Sequence, residues 1–189
     1  VNTLLIETKL ASGQPLQLVQ GDITIETTDA IVNAANERLQ HEGGVAWSIS
    51  RRGGPAVQAE SDAWVQSHGL VRHDAPAWTS GGNLPCRYVI HAVGPVWGET
   101  EEAEAKLAAA VTGSLRAADE LGLESISMPA ISTGIFGFPK ERAARIILSA
   151  IQKYFETPSG LKLVRVVLLD AGTAGIFEKV WHDHFGAES

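Results

Sequence analysis

Short apolar runs alternate with longer stretches of helical spacing along most of the chain. Leu4 to Ile6 and Leu16 to Val19 flank Ser12-Gly13-Gln14-Pro15, the pattern of two strands joined by a Gly/Pro turn. Ala30 to Val32 opens a third strand within Asp29 to Asn36. Ala75 to Ser80, Tyr88 to Val93, Ser125 to Ala130 and Val164 to Leu169 read as further strands. The last is continuous and apolar, which predicts a strand covered on both faces. Helical spacing over Val45 to Arg52 stops at Gly53-Gly54, and Pro55 then opens a helix that Gly69 closes. From Glu101 to Leu121 the residues Leu107, Val111, Leu115, Ala118 and Leu121 form one amphipathic stripe. Pro139 starts a helix whose inner face is Ala143, Ile147, Ala150, Ile151 and Tyr154, and a short helix from about Thr173 to His184 follows the last strand. Such alternation predicts an α/β sandwich with a largely parallel central sheet, made mixed by the N-terminal hairpin. With no repeat, low-complexity tract or linker in the pattern, residues 1–189 read as a single domain.

Composition adds mainly exclusions. A chain of 189 residues can bury roughly 70% of the surface its unfolded form exposes, so it folds without staples. One cysteine, Cys86, excludes an internal disulfide and any multi-cysteine zinc site, and reads as a small core residue. The net charge of −7 speaks against broad nucleic-acid binding, so any phosphate must be captured by local donors. No run is long enough for a membrane span and no leader pattern opens the chain, which gives the expectation of a cytoplasmic protein. The tryptophans at 47, 64, 78, 97 and 181 are scattered, and most read as core.

Candidate chemistry gathers after the strands. In an open α/β sheet, ligands settle at the carboxyl ends of the strands. There the chain places Gly21-Asp22-Ile23, Asn33-Ala34-Ala35-Asn36 followed by Gly43-Gly44-Val45, Gly94-Pro95, and Ser132-Thr133-Gly134-Ile135-Phe136-Gly137. Asn33 and Asn36 put amides where a core wants none; each must bond a neighbouring loop or a ligand, and an amide suits sugar hydroxyls. Gly43-Gly44-Val45 opens a helix whose first N–H groups favour an anion. Ser132 to Gly137 is either a plain strand-to-helix turn or a backbone cradle for a diphosphate. It is neither a Walker loop nor a dinucleotide fingerprint, so ATP hydrolysis and hydride transfer lack their usual signatures. Asp22 either caps the turn after Gly21 or accepts an adenine amino group at a pocket edge. His91, on an apolar strand, reads as a satisfied core histidine before a base. His182 and His184 face different ways on their helix, and no metal site is expected.

Taken together, GDIT at 21 to 24, DAIVNAAN at 29 to 36, GGVA at 43 to 46, HAVGP at 91 to 95 and PAISTGIFG at 129 to 137 resemble the macrodomain family in order and spacing. The resemblance implies a three-layer α/β/α sandwich around a mixed, largely parallel six-stranded sheet that binds ADP-ribose. It implies that Asp22 accepts the adenine amino group, the Ile23 backbone fixes the ring, and Asn36 holds the distal ribose. Gly43, Gly44 and Val45 would line the first phosphate loop. Ser132, Thr133, Gly134, Ile135, Phe136 and Gly137 would form the second, with Phe136 near the distal ribose. Asn36 and Gly44 are the implied catalytic positions, orienting the sugar and stabilising charge. No cofactor is implied; the expected partners are ADP-ribose and mono-ADP-ribosylated proteins, met by a monomer.

Two departures bear on activity. The strongly hydrolytic branch reads Gly-Gly-Gly-Val-Asp in the first loop, whereas this chain reads Glu42-Gly43-Gly44-Val45-Ala46 and so lacks the acid. This Val-Ala-aromatic version resembles a subgroup noted for tight binding and weaker hydrolysis. At the end of the last strand, where an aromatic often packs on adenine, the chain has Leu169, which offers apolar contact only. The expectation is an ADP-ribose-binding domain that also hydrolyses mono-ADP-ribose from acidic side chains. The alternatives are a non-catalytic reader and an enzyme acting on ADP-ribose 1″-phosphate or O-acetyl-ADP-ribose.

Overall fold

The computed structural model describes residues 1–186, so the last three residues of the expected 1–189 domain lie outside the described residues. The elements run β1 (Thr3–Lys9), β2 (Pro15–Gln20), β3 (Ala30–Ala34), α1 (Gly44–Gly53), α2 (Pro55–His68), β4 (Ala77–Ser80), β5 (Tyr88–Ala92), α3 (Ala103–Glu120), β6 (Ser125–Met128), α4 (Lys140–Tyr154), β7 (Leu163–Leu168) and α5 (Ala171–Phe185). All of the strands join one mixed sheet of seven, ordered β1-β2-β7-β6-β3-β5-β4. The macrodomain-like count of six is therefore one short, while the apolar runs taken one by one had each marked a strand. β2, β7, β6, β3 and β5 are parallel, and an antiparallel strand closes each side, so β4 as well as the hairpin makes the sheet mixed. β1 carries a register shift between Leu4 and Ile6, and β4 has only four residues.

Alternation along the strands sorts side chains onto two faces. Ala30 and Val32 of β3, Ile90 and Ala92 of β5, and Val164, Val166 and Leu168 of β7 turn toward α3, α4 and α5, forming the main core. α4 presents Ala143, Ala144, Ile147, Leu148, Ala150 and Ile151 to it, all buried. Each of its large aliphatics contributes about 1.5 to 3 kcal/mol by burial. The opposite face holds smaller clusters: Ile31, Val89 and Val167 against Ile49 of α1, and Ala77 against Leu39 and Val71. β7 is thus covered on both faces, as its continuous pattern predicted.

Helix ends follow local chemistry. α2 begins with Pro55 and is bounded by Gly54 and Gly69, both at φ 81°, where a side chain would be strained. Asp170 caps α5 by accepting from Thr173 N at 2.7 Å. Among the described residues no helix is long and apolar enough to cross a membrane.

One departure concerns the aromatics. Trp181 is buried, but Trp47, Trp78 and Trp97 are 47%, 40% and 38% exposed. Each instead lays part of its ring on a neighbour: Trp47 beneath Arg51, Trp78 edge-on to Trp64 and Tyr88, and Trp97 against Phe138 and Arg142. An amphipathic ring half-covered in this way gains contact area without entering the core.

Candidate functional site

The carboxyl ends of the parallel strands carry every sequence-predicted site residue. Backbone hydrogen bonds gather these ends into one rim. Gly21 N donates to Leu168 O at 2.8 Å, Ala35 N to Ala92 O at 2.9 Å, and Trp97 N to Phe136 O at 2.8 Å.

At one end of the rim stand Asp22, Ile23 and Leu169. The Asp22 carboxylate caps a helical turn over Ile23–Ile25, its Oδ1 accepting from Thr24 N at 2.9 Å and Thr24 Oγ1 at 2.6 Å. Its Oδ2 faces Arg52 at 3.6 Å and stays partly exposed. The two readings of Asp22 are therefore compatible: one oxygen is committed to the cap and the other is accessible to a donor. Ile23 is buried at the start of that turn, where its N–H has no helical partner. Leu169 is 77% exposed and offers a bare apolar surface beside them.

The first glycine loop starts α1. Gly43 is the N-cap with no side-chain cap, so the N–H groups of Gly44, Val45 and Ala46 point out of the helix without intrahelical partners. Gly44 sits at φ 60°. Ala46 is buried and supplies no polar group. Asn36 is half-buried and bonds its own loop: Oδ1 accepts from Arg38 N at 3.2 Å and Gln40 N at 3.1 Å, while Nδ2 donates to Gln40 O at 2.7 Å. One Nδ2 hydrogen is left for another acceptor.

The second loop is shaped almost wholly by main chain. Phe138 N donates to Ser132 O at 2.8 Å and Gly137 N to Gly134 O at 3.0 Å, with Thr133 N and Oγ1 both donating to Ala130 O. The N–H groups of Gly134, Ile135 and Phe136 donate to no backbone acceptor among the described residues. Ser132 has φ 67°, unusual for a residue with a side chain, and its buried Oγ has no partner. Gly94 explains how it fits, because a Cβ there would lie 2.0 Å from Ser132 Oγ and 2.7 Å from Ile131 Cγ2. The two loops meet at the tip: a Cβ on Gly43 would be 3.2 Å from Ile135 Cδ1, although Ile135 is 83% exposed.

Behind the first loop lies a buried polar chain. Asn33 Nδ2 contacts His91 Nδ1 at 3.0 Å and His41 Nδ1 at 3.3 Å; His91 Nε2 meets Thr79 Oγ1 at 2.9 Å, and His41 Nε2 meets Ser61 Oγ at 2.9 Å. His91 is the core histidine expected. Burial, and then the neighbouring His41, hold its pKa down at about 3, and burial lowers that of His41 despite the nearby Asp62 carboxylate. Both rings are therefore neutral near pH 7. Asn33 Oδ1 and Ser132 Oγ are the buried side-chain polar atoms without a partner among the described residues, and they sit at the roots of the two loops. Cys86 is buried in the smaller core, and burial raises its thiol to about 11.

Sequence reasoning passed over Gln58, Ser61 and Asp62 of α2, which hold the first loop from behind. Gln58 Oε1 accepts from His41 N at 3.2 Å and its Nε2 donates to Leu39 O at 2.8 Å; Asp62 Oδ1 accepts from Gln40 Nε2 at 3.0 Å. Their spacing puts them on one helix face, a signal that reads equally as a solvated stripe. No group of three or more His, Cys, Asp or Glu side chains among the described residues is placed to hold a metal ion. A hollow of about 420 Å³ lies between the 70–74 segment and the start of α3, lined by Glu37, Arg72, His73, Glu102 and Lys106 among others. It includes neither glycine loop, so unpaired donors and not volume mark the cleft.

The family model for the Macro domain matches residues 32–147. A Thermotoga maritima protein is 50% identical over 170 residues, 88% of this chain, which spans only 28% of that protein's length. The structure of the Oceanobacillus iheyensis macrodomain with ADP superposes with a TM-score of 0.90 at 33% identity, covering 98% of both chains. That of the Trypanosoma brucei macrodomain in complex with ADP-ribose gives 0.78 at 33% identity, covering 87% of this chain and 68% of the other.

Proposed function

The chain belongs to the macro domain family, and on that footing we propose that its cleft binds ADP-ribose and slowly hydrolyses the bond joining the distal ribose to an acidic side chain of a modified protein. One observation carries the reading. Two glycine loops at the carboxyl ends of neighbouring parallel strands each carry N–H groups without a backbone acceptor, and their tips approach at Gly43 and Ile135, a donor set of the kind a diphosphate requires. Adenine then falls toward Asp22 Oδ2, Ile23 and Leu169, and the distal ribose toward Asn36 and Phe136.

Without a protein nucleophile, the rate comes from position. The loops fold the diphosphate back over the distal ribose, and a held water attacks C1″ or the acyl carbon. Attack at C1″ breaks the C1″–O bond and releases the side-chain carboxylate, with a phosphate oxygen of the substrate taking the proton from water. Attack at the acyl carbon breaks the acyl C–O bond instead, and the same phosphate oxygen passes that proton to the departing 1″-oxygen of the ribose. The remaining Nδ2 hydrogen of Asn36 orients the sugar, and Gly44 with its neighbours offsets developing charge. Calorimetric titration with ADP-ribose, followed by assay of release from a mono-ADP-ribosylated protein, tests both halves. Asn36→Ala should slow release at least about tenfold, a greater loss than in affinity; undiminished release removes Asn36 from the mechanism.

Ala46 favours a second reading. It places a buried methyl where the hydrolytic branch carries an acid, so tight binding without release would make the chain a reader. Parallel assays with ADP-ribose 1″-phosphate and O-acetyl-ADP-ribose rank the remaining substrates that the same cleft could admit.

A further inference from the structure

The first loop must present its N–H groups in fixed directions, yet Gly43 and Gly44 are the residues least able to hold one conformation by themselves. Its order is imposed from outside, and His41 is where the restraints converge. The His41 backbone N–H donates to Gln58 Oε1, and the ring joins β3 to α2. The direction of each ring bond is fixed by its outermost member. Ser61 spends its hydroxyl hydrogen on Val57 O at 2.7 Å, so its oxygen can only accept, and His41 Nε2 must donate. In the neutral ring this leaves Nδ1 as the acceptor for Asn33 Nδ2. Thr79 does the same for His91, giving its hydrogen to Ser80 O at 3.1 Å and accepting from Nε2. Both amide hydrogens of Asn33 are thereby used, and the two rings stack with centroids 4.9 Å apart.

We propose that His41 is a positioning residue of the first phosphate loop, competent only as the neutral tautomer that accepts from Asn33 and donates to Ser61. The inference rests on the ADP-ribose reading of the cleft. A proton on Nδ1 turns the acceptor into a donor facing the Asn33 amide hydrogens, and the link between strand and loop is lost. The groups facing His41 are Gln58, Ser61 and Asp62 from α2, Asn33 from β3 and His91 from β5. Of these, only the Asp62 carboxylate favours the charged ring, and burial opposes it. The diphosphate of ADP-ribose does not titrate near neutrality, so a pH effect on binding reports the protein.

The test is calorimetric titration of ADP-ribose from about pH 7.5 to about pH 5 for the unaltered protein, His41→Phe, His41→Gln and Ser61→Ala. The unaltered protein should bind progressively more weakly as the pH falls. His41→Phe should bind about tenfold more weakly at the upper pH, with a flatter profile. His41→Gln, whose amide retains a donor and an acceptor, should recover most of the affinity and lose the profile. Ser61→Ala should lose about threefold. A folded His41→Phe protein that binds like the unaltered one with the same profile overturns the proposal. So does tighter binding in acid, which would make His41 a cation for the phosphates.

Should the unaltered protein fail to bind ADP-ribose at any pH, the parent reading falls, and amide exchange of the free protein then decides this one. The N–H groups of Leu39, Gln40 and His41 should exchange faster in His41→Phe, or in Ser61→Ala if the former does not fold. Unchanged exchange would refute the positioning role.

Discussion

The two glycine loops offer similar donors to one cleft but are held in opposite ways. The second is tied by main-chain bonds among its own residues and to Trp97, and is wedged in place by the fit of Ser132 against Gly94. The first has a few bonds of its own through Asn36 and Gln40, but it is joined to the body of the protein chiefly by side chains, Gln58 and Ser61 of α2, Asn33 of β3, and through it His91. A loop fixed by its own backbone answers to sterics and is indifferent to protonation. One fixed by imidazoles and amides answers to pH and to substitutions far from the ligand.

The sharpest break in this contrast is Gly94→Val. The new side chain would occupy the space of Ser132 Oγ and Ile131 Cγ2, and its first carbon would also lie 3.3 Å from Ser132 Cβ. It should cost about 1 to 3 kcal/mol of stability and lower ADP-ribose affinity by more than about tenfold, without altering the pH dependence of binding. Chemical unfolding and titration calorimetry read both. Should stability and affinity survive, the second loop is not set by sterics.

Next comes the acid response of the first loop's support. His91 is neutral in the fold down to about pH 3, whereas the unfolded chain takes up its proton near pH 6.5. Between these values the unfolded state holds more protons, so stability rises with pH and is lost on acidification. Its contribution is full above about pH 6.5 and falls by up to about 1.4 kcal/mol per unit below that. Urea unfolding at about pH 7 and about pH 5 should show this slope, and His91→Gln should flatten it; an equal slope in the variant would move the effect elsewhere. Glu26 adds in the same direction at lower pH. Burial alone would raise its pKa, but hydrogen bonds from Arg165, Asn2 and Ser127 outweigh that and hold it below its ordinary value.

The smallest effect should come from Ile135→Ala, where the tip of the second loop approaches Gly43. An exposed side chain of this kind contributes within about 0.5 kcal/mol to stability. Its loss should instead hasten ADP-ribose dissociation a few-fold in stopped-flow displacement. Unchanged dissociation would mean that the loops act independently.

What the sequence disclosed follows the same division. Backbone requirements leave a mark on the residue itself: Gly44 and Gly137 occupy left-handed φ, Gly94 admits a close contact, and each stood out beforehand. The strands were legible one by one because β-period burial imposes short apolar runs. The sheet size inferred by resemblance missed the extra strand that the runs had already marked. Gln58, Ser61 and Asp62 were not legible as a support, since a polar triad on one helix face looks alike whether it meets solvent or a loop. The tryptophans misled for the converse reason: residue type alone does not tell a ring buried on all sides from one resting on an arginine.

Ile135 Cδ1 comes so near Gly43 that a Cβ there would meet it at 3.2 Å. Any side chain at Gly43 would press on the tip of the second loop, so the bareness of one loop is also what gives the other its room. A single missing methyl group thus serves two segments nearly a hundred residues apart in the chain.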